Sequence, residues 1–295
     1  MAISAHHGRN VAELLDKIVE LLPKQETVEP ASEAIKVAIV GRPNVGKSML
    51  LNALVGGERA IVDDKPGTTR DAVDTRFDFN GRSVLIIDTA GIRRRGHIKG
   101  GVEKYSVLRS MRAIDRADVV LLVLNGSERT VAQDAHIAGY INDAGKGMVI
   151  IVNKRDLMKN TDTAEWDRLV KSELKFASYA PILYTSAKTG QGVEKIMPQV
   201  SEVHKERQKR PATAAVNTVI QQAVAAHTRP RIRGQQLKIF YATQAEINPP
   251  TFVFFTNNAK IIHFTYKRYL ENQLRQAFGF AGTPLRMVFK TRGEA

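Results

Sequence analysis

Gly41, Arg42, Pro43, Asn44, Val45, Gly46, Lys47 and Ser48 match G-x-x-x-x-G-K-[ST] at every fixed position. A glycine-rich turn between a strand and a helix aims several backbone N–H groups at one point. The helix dipole adds positive potential there, so the turn can cradle a polyphosphate. Lys47 would reach the β- and γ-phosphates, and the Ser48 hydroxyl would ligate Mg²⁺. The flanks suit this. Ile35–Val40 is an apolar, β-branched run that reads as a buried strand, and Met49–Leu54 reads as the start of a helix.

Four further stretches could complete such a site. Asp88, Thr89, Ala90 and Gly91 come after the apolar run Val84–Ile87, 47 residues beyond Gly41. An aspartate at the end of a strand beside the phosphate loop can reach a Mg²⁺ shell through water. Gly91 lets a backbone N–H approach a γ-phosphate unobstructed. Gly67-Thr68-Thr69-Arg70-Asp71 offers a threonine hydroxyl for the same Mg²⁺; spacing leaves Thr68 and Thr69 both open, with Thr69 preferred. Lys47, Thr69 and Gly91 form the expected catalytic set. Asn153, Lys154, Arg155 and Asp156 come after the apolar run Met148–Val152. The Asp156 carboxylate can accept hydrogen bonds from guanine N1–H and N2–H₂. Adenine would leave it unpaired, at a cost that makes it a selectivity device. Asn153 and the Lys154 stem would frame the base, and Ser186, Ala187 and Lys188 would supply a backbone contact to the guanine O6.

Elements in the right order must hold these residues. From Ile35 to about His204, strand and helix patterns alternate. Strands are expected at Ile35–Val40, Ala72–Asn80, Ser83–Ile87, Val119–Leu124, Met148–Val152 and Pro181–Tyr184. Helices are expected at Ser48–Val55, Tyr105–Ala113, Val131–Asn142, Glu165–Ala177 and Val193–His204. Asn80-Gly81 is a hairpin turn, so one strand should run antiparallel in a mostly parallel six-stranded sheet covered on both faces. The charged stretch His204–Pro211 reads as a hinge. Beyond it the order becomes α-β-β-α-β: a helix at Ala214–His227, strands at Gln236–Ala242 and Thr251–Thr256, a helix at Tyr266–Phe278 and a strand at Leu285–Lys290. The fold class is therefore α/β with a small α+β domain after it.

Composition bounds the rest. The 295 residues favour two domains, and 43% hydrophobic content supports real cores. The absence of Cys excludes disulfides and thiolate metal sites and suits a reducing cytoplasm. No apolar run approaches the roughly 20 residues that span a bilayer, so no membrane span is expected. The net charge is +14, and residues 205–295 hold +11 of it, with 15 Lys and Arg against 4 Asp and Glu. A basic C-terminal third implies a polyanion, most often nucleic acid. Near the N-terminus, Ser4-Ala5-His6-His7-Gly8 and the apolar helical face beyond it echo Ser186-Ala187-Lys188-Thr189-Gly190 and the helix at Val193–His204, at an offset of 182 residues. Residues 1–22 are therefore expected to be the C-terminal remnant of another domain of the same type, 23–33 an acidic linker, 34–204 the main domain and 205–295 the basic one.

The ordered set Gly41–Ser48, Gly67–Asp71, Asp88–Gly91, Asn153–Asp156 and Ser186–Lys188 resembles a translation-factor-class GTPase of the Era-like group. With the echo at Ser4-Ala5, the chain resembles the Der (EngA) family, which has two tandem G domains and a C-terminal KH-like domain. The resemblance covers the whole chain and implies a form lacking the first P-loop. It implies GTP and GDP as ligands, Mg²⁺ as cofactor, GTP hydrolysis in assembly of the large ribosomal subunit, and rRNA as partner, in a cytoplasmic monomer. The chain departs from a Ras-like pattern at two positions. Ile92 stands where the water-orienting glutamine would be, so slow intrinsic hydrolysis is expected. Asn44 occupies the position that coordinates K⁺ in similar GTPases, which implies K⁺ stimulation. The KH resemblance lacks a G-x-x-G clamp between two helices; Gly279-Phe280-Ala281-Gly282 comes after the last helix and reads as a helix stop. Of Phe252, Phe254 and Phe255, two are expected in the core. The competing functions are a nucleotide-independent RNA-binding scaffold and an ATP-dependent P-loop enzyme, which Asp156 disfavours.

Overall fold

Strand β1 (Ile35–Val40) sends alternate side chains into two different cores, and the first unit is built around that fact. The computed structural model describes residues 13, 14, 17, 34–56, 60–62, 74–89, 92, 103–128, 132–158, 163–226, 231, 232 and 235–292. These fall in two compact units, Glu29–Lys205 with Gly282–Pro284, and Glu206–Ala281 with Leu285–Ala295 and Met1–Val28.

In the first unit, β1 is succeeded by α1 (Lys47–Val55), β2 (Ala60–Val62), β3 (Thr75–Phe79), β4 (Arg82–Ile87), α2 (Glu103–Arg116), β5 (Val119–Asn125), α3 (Ala132–Asp143), β6 (Gly147–Asn153), α4 (Thr163–Glu173), β7 (Ile182–Tyr184) and α5 (Ile196–Gln208). The sheet order is β2-β3-β4-β1-β5-β6-β7. Pairs from β4 through β7 are parallel, and β3 runs antiparallel to both its neighbours. The β3–β4 hairpin turns on Asn80 and Gly81, both at positive φ (51° and 76°), the conformation that Asn-Gly adopts most readily.

Val37 and Ile39 pack with Leu50 and Leu51 of α1 and with Ile196 and Val200 of α5. Ala38 and Val40 belong to the other core, which also holds Ile114 of α2, Ile141 of α3, and Trp166 and Val170 of α4. Both faces of β5 and β6 are buried along their full length, which is why their sequences are continuous apolar runs.

The sequence reading fits this mostly parallel sheet with one antiparallel strand. The seventh strand, β2, is an addition. Three residues are too few to display a period of two. Helix α5 runs on to Gln208, past the expected His204, because Lys205 to Gln208 are good helix formers and the first breaker is Pro211.

The second unit contains α6 (Thr213–Ala226), β8 (Arg231–Ile232), β9 (Gln235–Gln236), β10 (Ile239–Ile247), β11 (Pro250–Thr256), α7 (Phe264–Phe278) and β12 (Arg286–Thr291). Its sheet has the order β10-β11-β12, antiparallel then parallel, and β8–β9 is a separate short ribbon. Phe252 and Phe254 are fully buried between the sheet and the residues Val216, Ile220, Leu270 and Leu274 of the two helices. Gly279 ends α7 at φ 88°, its N–H on the Arg275 carbonyl, so this G-x-x-G is the stop that its position implied. Among the described residues no helix is long and apolar enough to cross a membrane.

Candidate functional site

The phosphate loop joins β1 to α1, and glycine is required at both ends of it. Gly41 has φ 147° and Gly46 φ 98°. A Cβ at Gly41 would overlap the Val123 carbonyl of β5, and one at Gly46 would overlap the Asn153 side-chain amide. Helix α1 starts without a side-chain cap and has no acidic residue in its first turn. Its leading N–H groups and dipole thus face the loop with no carboxylate in that turn to neutralise them.

Lys47 is 8% exposed. Its ammonium lies within the loop and donates to the Gly41 carbonyl at 2.8 Å and to the Arg42 carbonyl. Ser48 Oγ donates to the Ile92 carbonyl at 2.6 Å, so the first turn of α1 meets the chain that leaves β4. The parallel pairing of β1 with β4 puts Asp88 next to the loop. Asp88 has φ 57°, and its N–H donates to Asp74 Oδ1 at 2.9 Å. Thr89 is buried and receives a hydrogen bond from Thr75 Oγ1 at 2.9 Å. Ile92 is 7% exposed and packs in the core with Leu50 and Leu51.

Asn153 ties the loops together. At the end of β6 and 2% exposed, it donates from Nδ2 to the Val45 carbonyl at 2.9 Å. Its Oδ1 accepts from the Ala187 N–H at 3.0 Å and from Thr185 Oγ1 at 3.3 Å. The phosphate loop, the Asn153–Asp156 turn and the Ser186–Lys188 loop therefore share one buried amide. Lys154 takes φ 64° to start the turn. The Arg155 N–H donates to the Thr185 carbonyl at 2.9 Å, and the Arg155 guanidinium lies 6.0 Å from the Tyr184 ring centre. Asp156 is exposed, and its Oδ1 accepts from Ser186 Oγ at 2.6 Å. That bond joins the carboxylate to the Ser186–Lys188 loop.

Five described non-glycine residues have positive φ, and three of them, Asn44 (63°), Asp88 and Lys154, stand in these motifs. Strained backbone gathers where function needs it.

The structure brings together Gly41–Ser48, Asp88, Thr89, Ile92, Asn153–Asp156 and Ser186–Lys188. Thr68, Thr69, Ala90, Gly91, the echo at residues 4–12 and the linker at 23–33 lie outside the described residues.

The Arg42 side chain does not face the loop's anion cradle. Its Nε donates to both oxygens of Asp134 at 3.0 Å, and Nη2 reaches Glu128 at 3.4 Å. Any phosphate contact from Arg42 is therefore through its backbone. Asp134 is fully buried on α3, and the motif reading missed it. The signal was present: Asp134 stands with Ala138 and Ile141 on the helix's apolar stripe, where a carboxylate needs a partner.

The donor set fits a nucleotide with a hard divalent cation. Backbone N–H groups and a buried ammonium suit phosphates, the Ser48 hydroxyl and Asp88 carboxylate are oxygen ligands, and Asp156 is a fixed acceptor. Among the described residues no group of three or more His, Asp or Glu could hold a metal by itself, so such a cation would share its shell with phosphate and water.

Residues 36–154 match a family described as 50S ribosome-binding GTPase, and residues 210–290 match the C-terminal KH-domain-like family of EngA bacterial GTPase enzymes. The GTPase Der of Moorella thermoacetica is 51% identical over 290 residues, covering 98% of this chain and 66% of that protein. The GTPase Der of Desulfitobacterium hafniense is 48% identical over 294 residues, covering 99% of this chain and 67% of that protein. The chain thus spans about two thirds of the length of these relatives. Among solved structures, Era bound to MgGDPNP and a 16S ribosomal RNA fragment is 21% identical, with a TM-score of 0.43 over 88% of this chain and 92% of that one.

Proposed function

The chain belongs to the GTPase Der family, and from that premise we propose that it binds GTP with Mg²⁺, hydrolyses it to GDP and phosphate, and acts as a switch in assembly of the large ribosomal subunit. The observation that carries this reading is the Asn153 amide. It fixes the phosphate loop to both base-reading loops, so one set of hydrogen bonds supports recognition of the phosphates and of guanine together.

Each residue has a task in this reading. The N–H groups from Gly41 to Ser48 hold the β-phosphate, and Lys47 leaves its loop carbonyls to pair with the β- and γ-oxygens. Ser48, Thr69 and, through water, Asp88 would hold Mg²⁺, and Ser48 would give up its bond to Ile92 to do so. When bound, the Mg²⁺ supplies charge neutralisation on the β- and γ-phosphate oxygens. The Gly91 N–H stabilises the γ-phosphate. Asp156 accepts from guanine N1–H and N2–H₂ while Ser186 steadies it, and the loop at Ala187 and Lys188 meets O6.

Ile92 lies in the core and has no group to orient water, so intrinsic hydrolysis is slow. Asn44, exposed on a left-handed turn of the phosphate loop, is the proposed K⁺ ligand. The basic C-terminal domain contacts rRNA through phosphates. The protein acts as a cytoplasmic monomer.

Titration with GDP, a GTP analogue and ATP, with hydrolysis measured in KCl and in NaCl, tests this. Guanine nucleotides should bind and ATP should not compete, KCl should speed hydrolysis, and Lys47→Ala should abolish it. Absence of guanine-nucleotide binding would end the reading, and equal rates in the two salts would remove the role of Asn44.

A further inference from the structure

The sheet of the second unit has two unlike faces, and only one is accounted for by its core. Phe252, Phe254, Met287 and Phe289 point inward, with Phe254 stacked on Phe289 at 4.7 Å. Strand alternation sends the intervening residues to the other face. The register lines Tyr241, Phe255 and Lys290 across the three strands, and Val253 beside Val288 in the next row. The Tyr241 and Phe255 rings are 6.0 Å apart. A bulge between Ile239 and Tyr241 brings in Phe240, which is 42% exposed, and the Arg292 guanidinium lies 5.4 Å from its ring centre. Along β12 and just beyond, Arg286, Val288, Lys290 and Arg292 alternate outward and are all exposed. Among the described residues of this face the carboxylate is Glu246, at the far end, bonded by Thr251.

We propose that this outer face is a binding platform for single-stranded RNA, with bases stacking on Phe240, Tyr241 and Phe255 and phosphates meeting Arg286, Lys290 and Arg292. Aromatic rings interleaved with cations at strand spacing serve both parts of an unpaired nucleotide. Lys290, in the middle of the row, is a residue type that protein–protein interfaces are depleted in, and the positive charge of the whole row is matched by a polyanion. The G-x-x-G of this domain ends a helix and is not available as a clamp, so RNA needs another surface. The inference rests on the rRNA reading above and gives that contact a place and a mode.

Fluorescence anisotropy on the whole chain, with a labelled oligouridylate of about ten nucleotides and a duplex of equal length, tests it. Phe240→Ser removes an exposed ring and should weaken the single-strand complex by about 5- to 100-fold, while Arg210→Gln, away from this face, should leave it within about twofold. Lys290→Gln and Arg292→Gln should each lower the slope of log affinity against log salt by roughly 0.7. The duplex should bind more weakly and be indifferent to Phe240.

No binding of the oligonucleotide, or an affinity unmoved by Phe240→Ser, overturns the proposal. So does loss of subunit association in Phe240→Ser with oligonucleotide binding intact, which would give the face to a protein. The two readings fail separately. Phe240-dependent RNA binding without sedimentation on large subunits would sink the ribosomal reading and leave the platform standing. Sedimentation that ignores Phe240 would do the reverse.

Discussion

Asn153 uses one amide for two purposes, and the site depends on both. Its NH₂ fastens the phosphate loop at Val45, and its oxygen fastens the Ser186–Lys188 loop at Ala187. In the proposed function, Asp156 then has a fixed frame from which to read a base. Asp156→Asn replaces an acceptor with a donor facing guanine N2–H₂. GTP affinity should fall about a hundredfold or more, and affinity for xanthosine triphosphate, which has a carbonyl at that carbon, should rise. Competition binding with the two nucleotides reads this directly, and unchanged preference for GTP would remove Asp156 from the base site. Ile92 gives a second residue-scale prediction. The sequence places it where a water-orienting glutamine could stand, but the structure buries it beside Leu50 and Leu51. Ile92→Gln should therefore leave the hydrolysis rate where it is and cost about 1–3 kcal/mol of stability for burying an amide. Single-turnover hydrolysis and thermal unfolding of the same preparation separate the two effects.

Between elements, the link that matters is α3 to the phosphate loop. Asp134 sits on the buried stripe of α3 and holds Arg42 with both oxygens, while Glu128 approaches the same guanidinium from the loop before α3. Asp134→Ala leaves a guanidinium without its buried partner. The cost should be about 3–5 kcal/mol in unfolding free energy. GDP affinity should also fall, because the loop loses its outer anchor; denaturant unfolding with and without GDP would detect both losses. The strands were legible because continuous apolar runs betray burial on both faces, and the phosphate loop because its glycines and lysine obey fixed spacing. The Asn80-Gly81 hairpin was legible from two residues. The Arg42–Asp134 clamp was not, since a contact between positions 42 and 134 leaves no periodic trace; only a carboxylate on an apolar stripe hinted at it. Strand β2 escaped because three residues carry no period. Reading the phenylalanines of β11 as mostly core was right for Phe252 and Phe254, but the outward place of Phe255 depends on cross-strand register, which no single strand reveals.

At the scale of the whole molecule, charge and chemistry divide between the two parts of the sequence. The nucleotide motifs lie in the first 204 residues, and +11 of the net +14 lies beyond them. A switch on a polyanionic partner needs both, and its association should weaken steeply with added salt, as phosphate contacts release counterions. The most direct measurement is sucrose-gradient sedimentation of the chain with purified large ribosomal subunits, under GDP and under a non-hydrolysable GTP analogue, with Lys47→Ala alongside. The account predicts that the chain travels with the large subunit in one nucleotide state far more than in the other, and that Lys47→Ala loses the difference. Equal association in both states, unchanged by Lys47→Ala, would contradict the switch and leave a nucleotide-independent RNA-binding scaffold in its place.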